Sequence, residues 1–201
     1  PFRYDELSEP ADDICMAVIN EKAGYVNLSG KRITEFDFDY ASDFKNGFAI
    51  VAINGLYGTI SNKGGISIEP KYDDLTFFTD KILKAKLNNK YGLIDFAGGI
   101  ILPFEFDHIQ QPANQRAFVV KQNKCGFIDD NGKQVIAVTY PVQTGRIEDI
   151  YFENGYAIIY QKTKALVIDS TGNKFTLSGF DFFSKPSEDM IAVSLKKKWG
   201  Y

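Results

Sequence analysis

The sequence predicts an all-β protein, a tandem array of three-stranded units about 34 residues long. Three observations carry this. Gly24, Gly58, Gly92 and Gly126 follow one another at intervals of 34. After an interval of 40 the register resumes at Leu166, and Gly200 follows another 34 on. A second glycine stands six residues after each mark, at Gly30, Gly64, Gly98, Gly132 and Gly172. An aromatic stands fourteen after, at Phe38, Tyr72, Phe106, Tyr140 and Phe180. Columns that hold phase along a whole chain are the signature of a repeat architecture. Residues 1–201 therefore read as one continuous array without a domain boundary.

The elements of a unit follow in order from its third copy. Lys90 to Asp95 and Ile100 to Asp107 are β-rich runs, and Phe96-Ala97-Gly98-Gly99 between them is a short hairpin turn. Such a turn needs positive φ, which glycine supplies without a Cβ clash. A third strand closes the unit, with core columns nine and seven residues before the mark. The first column holds Cys15, Ala49, Leu83, Ala117, Ala157 and Ile191; the second holds Ala17, Val51, Ala85, Val119, Ile159 and Val193. Residues two apart on a strand share a face. The link onward is short and polar, as in Asn88-Asn89-Lys90 and Gln122-Asn123-Lys124. No segment has a helical period.

The marker glycine lets a neighbouring backbone or ring approach closely. The residue before it (Ala23, Tyr57, Tyr91, Cys125, Ala165, Trp199) is expected in the core or along a seam. Leu166 breaks the glycine column, so the fifth unit is expected to be locally distorted.

Composition excludes several classes. The 201 residues are 44% hydrophobic, an ordinary globular content. A net charge of -3 gives no long-range pull toward nucleic acid or anionic lipid. No apolar run approaches the ~18 residues of a membrane span. Cys15 and Cys125 are too few for a disulfide framework and read as small buried hydrophobes.

Lys198-Trp199-Gly200-Tyr201, Lys90-Tyr91-Gly92-Leu93-Ile94-Asp95 with Gly98, and Glu69-Pro70-Lys71-Tyr72-Asp73 together give the unit a form that resembles the bacterial WG repeat. The resemblance extends over essentially the whole chain, although only one copy has a literal Trp-Gly. It implies an all-β array in a bacterial or bacterially derived protein, often within a longer multi-domain chain; the sequence does not fix the compartment, bacterial cytoplasm or cell envelope. It implies no shared reaction, so no catalytic residue is carried over.

Pro1-Phe2-Arg3-Tyr4-Asp5 matches the second half of a unit, and Tyr201 falls just inside the first strand of another. These ends suggest a fragment of a longer open or spiralling array. The alternative is a closed, propeller-like ring whose first and last segments share one unit.

Four features are candidate sites. A lysine column two before the mark (Lys22, Lys90, Lys124, Lys164, Lys198) would form a basic ladder for an acidic partner. The plainer reading is exposed strand ends guarded against edge pairing. Asp95, Asp129 and Asp169 lie three after the mark, with Asn27 and Ser61 as counterparts; Asp5, Asp39, Asp73, Asp107 and Asp181 fill a second acidic column. Repeated carboxylates suit Ca²⁺, but turn capping explains the positions better, and no metal site is expected. His108 is the single histidine, and only Cys125 offers it a nucleophile; no catalytic set is expected. The six-residue insertion between Tyr140 and Leu166 contains Arg146, Tyr151 and Phe152, residue types that anchor interfaces. Against this, aromatics in a β-array usually pack inward.

The expected function is a non-enzymatic interaction scaffold, with no cofactor, that binds a protein partner or presents neighbouring domains. One alternative is a glycan-binding or cell-surface module, whose aromatics would stack on sugar faces. Another is an accessory domain of an enzyme whose catalytic part lies outside this chain.

Overall fold

Five polar dipeptides set the strand pairing. Asn20-Glu21, Asn54-Gly55, Asn88-Asn89, Gln122-Asn123 and Lys196-Lys197 have positive φ at both positions, between 49° and 76°. These are type I′ turns, whose twist matches that of the strands they join. The computed structural model describes residues 3–142, 150, 152, 155–161, 164–184 and 190–200.

The chain divides into two compact units, Pro1–Phe104 and Glu105–Tyr201. The first unit holds two antiparallel sheets and all but the last two residues of a third. In the first sheet, β1 (Glu6–Leu7), β2 (Ile14–Ile19) and β3 (Lys22–Asn27) pair in that order. The second has the order β4 (Tyr40–Ala41), β5 (Phe48–Ile53), β6 (Leu56–Ser61) and β7 (Ile66–Tyr72). The third runs β8 (Asp74–Phe77), β9 (Ile82–Leu87), β10 (Lys90–Asp95) and β11 (Ile100–Phe106).

In the second unit a four-stranded sheet holds β12 (His108–Ile109), β13 (Arg116–Lys121), β14 (Lys124–Asp129) and β15 (Gln134–Pro141). It is followed by β16 (Tyr156–Gln161), β17 (Lys164–Asp169) and β18 (Lys174–Ser178). The last sheet is β19 (Phe182–Phe183), β20 (Val193–Leu195) and β21 (Lys198–Gly200). No helix among the described residues is long and apolar enough to cross a membrane.

The fold is thus the all-β tandem repeat that the columns predict, with one addition. A short strand just past the aromatic column (β4, β8, β12, β19) starts a sheet, so each sheet straddles two sequence units. Two to four residues were too few to show a period in the sequence.

Both core columns are buried. Ala17, Ala49, Val51, Leu83, Ala85, Ala117, Val119, Ala157 and Ile159 are fully enclosed, while Ile191 and Val193 are half-buried. The strand carrying the mark is covered on both faces, so its next two residues are buried as well: Tyr25 and Val26, Thr59 and Ile60, Leu93 and Ile94, Phe127 and Ile128, Val167 and Ile168. A strand buried on both faces loses its alternation.

The marker glycine sits beneath a β-bulge. Tyr57 pairs with Tyr72 and Thr59 with Ile68, so three residues of β7 face Gly58 alone. Likewise, Cys125 pairs with Tyr140 and Phe127 with Ile136 around Gly126. A Cβ at Gly58 would lie 2.3 Å from the Ile68 carbonyl oxygen, and one at Gly126 would lie 2.5 Å from that of Ile136. The close approach expected of this column is therefore real.

The expectation for Leu166 is corrected. The fifth sheet is free of the shifts seen in the second and fourth, since β17 and β18 pair without interruption from Lys164↔Ser178 to Ile168↔Lys174. A leucine side chain leaves no room for a neighbouring strand to collapse onto position 166, so the bulge does not form. Trp199 also departs from expectation: it is 62% exposed and packs edge-to-face on Phe182.

Thr59 stands in an otherwise apolar column and is fully buried, with no hydrogen-bond partner for its hydroxyl. Thr59→Val should therefore raise stability by about 1 kcal/mol, because it removes an unsatisfied polar group at nearly constant volume. Urea unfolding checks this; a loss of stability would mean that the hydroxyl is satisfied.

Candidate interaction surface

The polar columns are absorbed by turns. Asp129 Oδ1 accepts from the Asn131 and Lys133 amides at 3.0 and 2.8 Å. Asp95 and Asp169 do the same for residues two and four further on, and so does Asn27 through its amide oxygen. The Gly132 amide closes onto the Asp129 carbonyl, and Gly30, Gly64, Gly98 and Gly172 repeat this bond. All five of these glycines have positive φ, between 77° and 90°. The result is a turn followed by a left-handed residue, which strongly favours glycine.

The second acidic column clamps the type I′ turns. Asp5, Asp107 and Asp181 accept from the Asn20, Gln122 and Lys196 amides at 2.6 to 2.8 Å. Asp39 accepts from Asn54, and Asp73 makes a long 3.5 Å contact with Asn89. These carboxylates neutralise turn amides and do not converge as cation ligands.

The Lys22 ammonium, hydrogen-bonded to Asp39, holds that carboxyl below its usual range, helped by the Asn54 amide. The Thr171 hydroxyl does the same for Asp169. A carboxyl with a depressed folded-state pKa contributes stability that is complete above its ordinary value of about 3.9 and is lost as pH falls through the lowered value. The melting temperature should therefore fall below about pH 4, and Asp39→Asn should flatten that fall. An unchanged acid limb would show that this clamp adds nothing.

The lysine column occupies one recurring position, the first residue of β3, β10, β14, β17 and β21. Lys22, Lys124, Lys164 and Lys198 are exposed there, Lys90 is half-buried, and Lys22 forms an ion pair with Asp39. Each lysine stands at the start of its own strand, which is where the plainer reading puts it.

In the insertion, Arg146 and Tyr151 lie outside the described residues. Phe152 does not serve as a surface anchor. It is 3% exposed, stacks edge-on against Phe127 at 4.8 Å and packs in a core with Ile150, Phe118 and Ile159. Its carbonyl accepts from Asn114 Nδ2 at 2.9 Å. The expectation of a partner-binding Phe152 is thus replaced by a structural role, because burial against Phe127 leaves no side-chain surface to present.

His108 and Cys125 share a row of the fourth sheet, but Val120 stands between them, paired with both. Two strand spacings separate the two residues, about 10 Å. Burial pushes the Cys125 thiol up to about 12, so it is not a nucleophile at neutral pH.

What the sheets do present is apolar side chains on their last strands, the edges that close each sheet. Ile66 on β7, Ile100 and Ile101 on β11 and Phe175 on β18 are all exposed, with Ile100 at 65%. These positions stand two residues (Ile66, Ile100) or three residues (Ile101, Phe175) after the turn glycine. That recurring offset was readable in the sequence, but nothing there distinguished an exposed isoleucine from a core one. Open grooves are also present among the described residues. One of about 470 Å³ runs beside Arg32 to Phe38 in the first unit; another of about 300 Å³ follows β15 and contains Lys121, Lys124 and Thr139. Lys121 is paired with Glu105 at 2.6 Å.

Comparisons with known proteins agree with this architecture. The family described as WG containing repeat matches residues 24–57, 57–91 and 91–125. The search of curated proteins found no match. Structural neighbours are β-propellers. The crystal structure of a eukaryotic initiation factor is similar with a TM-score of 0.52 and 12% identity, covering 94% of this chain and 58% of that one. Hsv2p of Kluyveromyces lactis (TM-score 0.42, 11% identity) covers 94% of this chain and 70% of its own. BamB of Moraxella catarrhalis (TM-score 0.42, 10% identity) covers 92% and 66%. At these identities the likeness concerns the fold alone.

Proposed function

This chain belongs to the family of WG-containing repeat proteins, and we propose that it is a non-enzymatic scaffold that binds a protein partner through the closing edges of its sheets. The observation that carries this reading is the recurrence of large apolar side chains at those edges, at Ile66, Ile100, Ile101 and Phe175. Exposed apolar groups in a row along an edge offer a partner the apolar contact of an interface. The acidic and amide columns, by contrast, are spent on turns. A presenting role for neighbouring domains in a longer chain uses the same surface.

Capture from a bacterial lysate tests the proposal. The native chain is compared with an Ile100→Ser, Ile101→Ser variant and with one whose residues 143–149 are replaced by a Gly/Ser loop. That range spares Ile150 and Phe152, which belong to the core. The proposal expects a partner held by the native chain, weakened by the serine pair and retained by the loop variant. Loss with the loop variant alone would move the site to Arg146 and its neighbours; no captured protein would count against a scaffold.

The glycan reading rests on one observation, the exposed Trp199 ring against Phe182 at the last sheet. Glycan-array binding that disappears in Trp199→Ala would favour it.

A further inference from the structure

Three closing strands are blunted against further pairing. β7 contains Pro70 and a bulge, β15 contains a bulge and ends at Pro141, and β11 contains Pro103. Bulges bend an edge and proline removes a donor, and both prevent another strand from adding. β18 has neither. Its sequence is Lys174-Phe175-Thr176-Leu177-Ser178, and its register with β17 is continuous. The cause is Leu166, which stands where the other sheets have the glycine that admits a bulge.

The free edge can be resolved residue by residue. The Asp169 amide donates to the Asn173 carbonyl at 2.9 Å, so Asp169 and Asn173 form a hydrogen-bonded pair. Bonded and non-bonded pairs alternate along an antiparallel ladder. Phe175 and Leu177 therefore bond β17, while the backbone groups of Lys174, Thr176 and Ser178 point outward and have no partner among the described residues. Phe175 offers a side chain that is 48% exposed beside them.

The edge is also positively charged. Lys174 is exposed on it, and Lys164 lies across the small Ser178. The nearby carboxylates are engaged, Asp169 by its own turn and Asp181 by the Lys196 amide.

We propose that β18 is the docking edge for an extended acidic segment of a protein partner, which adds to the sheet as an antiparallel fourth strand. This rests on the scaffold reading and assigns its site and ligand chemistry. An acidic residue opposite Lys174 makes a favourable cross-strand pair, and another opposite Ser178 reaches Lys164. β-branched residues opposite Phe175 and Leu177 complete the other face. A second copy fits less well: antiparallel pairing about Thr176 would set Lys174 of one copy one strand from Lys164 of the other, with no anion between them.

The test uses the acetylated, amidated peptide Ser-Glu-Val-Thr-Val-Glu-Ser, titrated into the isotope-labelled full chain, with amide exchange read by NMR. The expected result is saturable binding that slows exchange at Lys174, Thr176 and Ser178. The same peptide with lysine for glutamate should bind about ten-fold more weakly, as two attractive cross-strand pairs become repulsive. Thr176→Pro removes an outward donor and leaves the bonds to β17 in place, so it should keep a native spectrum and lose binding. Should that variant fail to fold, Lys174→Glu serves instead and should abolish the native chain's preference between the peptides, since Lys164 still favours the acidic one. Equal affinity for both peptides, binding retained by Thr176→Pro, or protection away from β18 would overturn the proposal. So would peptide-free dimerisation in the ultracentrifuge that Thr176→Pro abolishes, since the occupant would then be a second copy. A lysate partner still captured by Thr176→Pro would remove this edge while leaving the scaffold reading intact.

Discussion

Gly58→Ala should destabilise the second sheet by about 3 kcal/mol. The added Cβ would lie 2.3 Å from the Ile68 carbonyl oxygen, 2.8 Å from the Pro70 nitrogen and 3.0 Å from the Glu69 carbonyl carbon. All three are backbone atoms, so no rotamer change relieves the clash. The β7 bulge would have to move, and the Tyr57–Tyr72 pairing with it. Gly200→Ala is the internal control. It occupies the same column, but nothing lies within 4 Å of its Cβ, so its effect should stay within about 0.5 kcal/mol. Lys124→Ala, on an exposed strand end, should be as mild. Urea unfolding of the three variants checks the ordering. Should Gly58→Ala prove as harmless as Lys124→Ala, the crowded bulge assigned to the marker glycine would be wrong.

Phe152→Ala should cost about 3–5 kcal/mol, the range for deleting a buried phenylalanine. The ring fills a core with Phe127, Phe118, Ile150 and Ile159, and it holds an edge-on contact with Phe127 at 81°. Its loss leaves a cavity bounded by sheet residues that cannot collapse into it. Thermal unfolding gives the answer, and it separates two roles that look alike in the sequence. A core residue lowers the melting temperature and leaves partner capture by the folded chain unchanged. An unchanged melting temperature with lost capture would restore Phe152 as an interface anchor.

Much of the fold was legible because its constraints recur. The turn glycines at Gly30, Gly64, Gly98, Gly132 and Gly172 report a backbone conformation that few residues adopt, and one such demand per repeat becomes a column. The marker glycines report a steric limit that is equally strict. The capping role of Asp95, Asp129 and Asp169 was readable for the same reason, since the side chain bonds amides two and four residues on. The short strands such as β4 and β12 were not legible, because two residues carry no period.

Leu166 shows a different limit. The sequence marks it as an exception to the glycine column, which suggests a distorted copy. In the structure the Gly58 and Gly126 copies carry the irregularity, and the leucine copy pairs without one. Pairing register is a relation between two strands, and the identity of one residue does not reveal which state counts as distorted. The interaction surface was hidden for a related reason. Ile100 and Ile94 are the same residue type six positions apart, yet Ile94 is enclosed on both faces of its strand and Ile100 is 65% exposed on an edge. Sheet order, which hydrophobicity does not encode, decides between them.

The central claim is that the closing edges bind a partner while the repeated polar columns hold the turns. Amide chemical-shift mapping of the labelled chain with the protein captured from lysate tests it most directly. The account predicts shifts concentrated on the closing strands, at residues such as Ile66, Ile100, Thr176 and Phe175, with the turn amides of Asn131 and Thr171 unmoved. Shifts confined to Lys22, Lys90, Lys124, Lys164 and Lys198, or to residues 143–149, would contradict it.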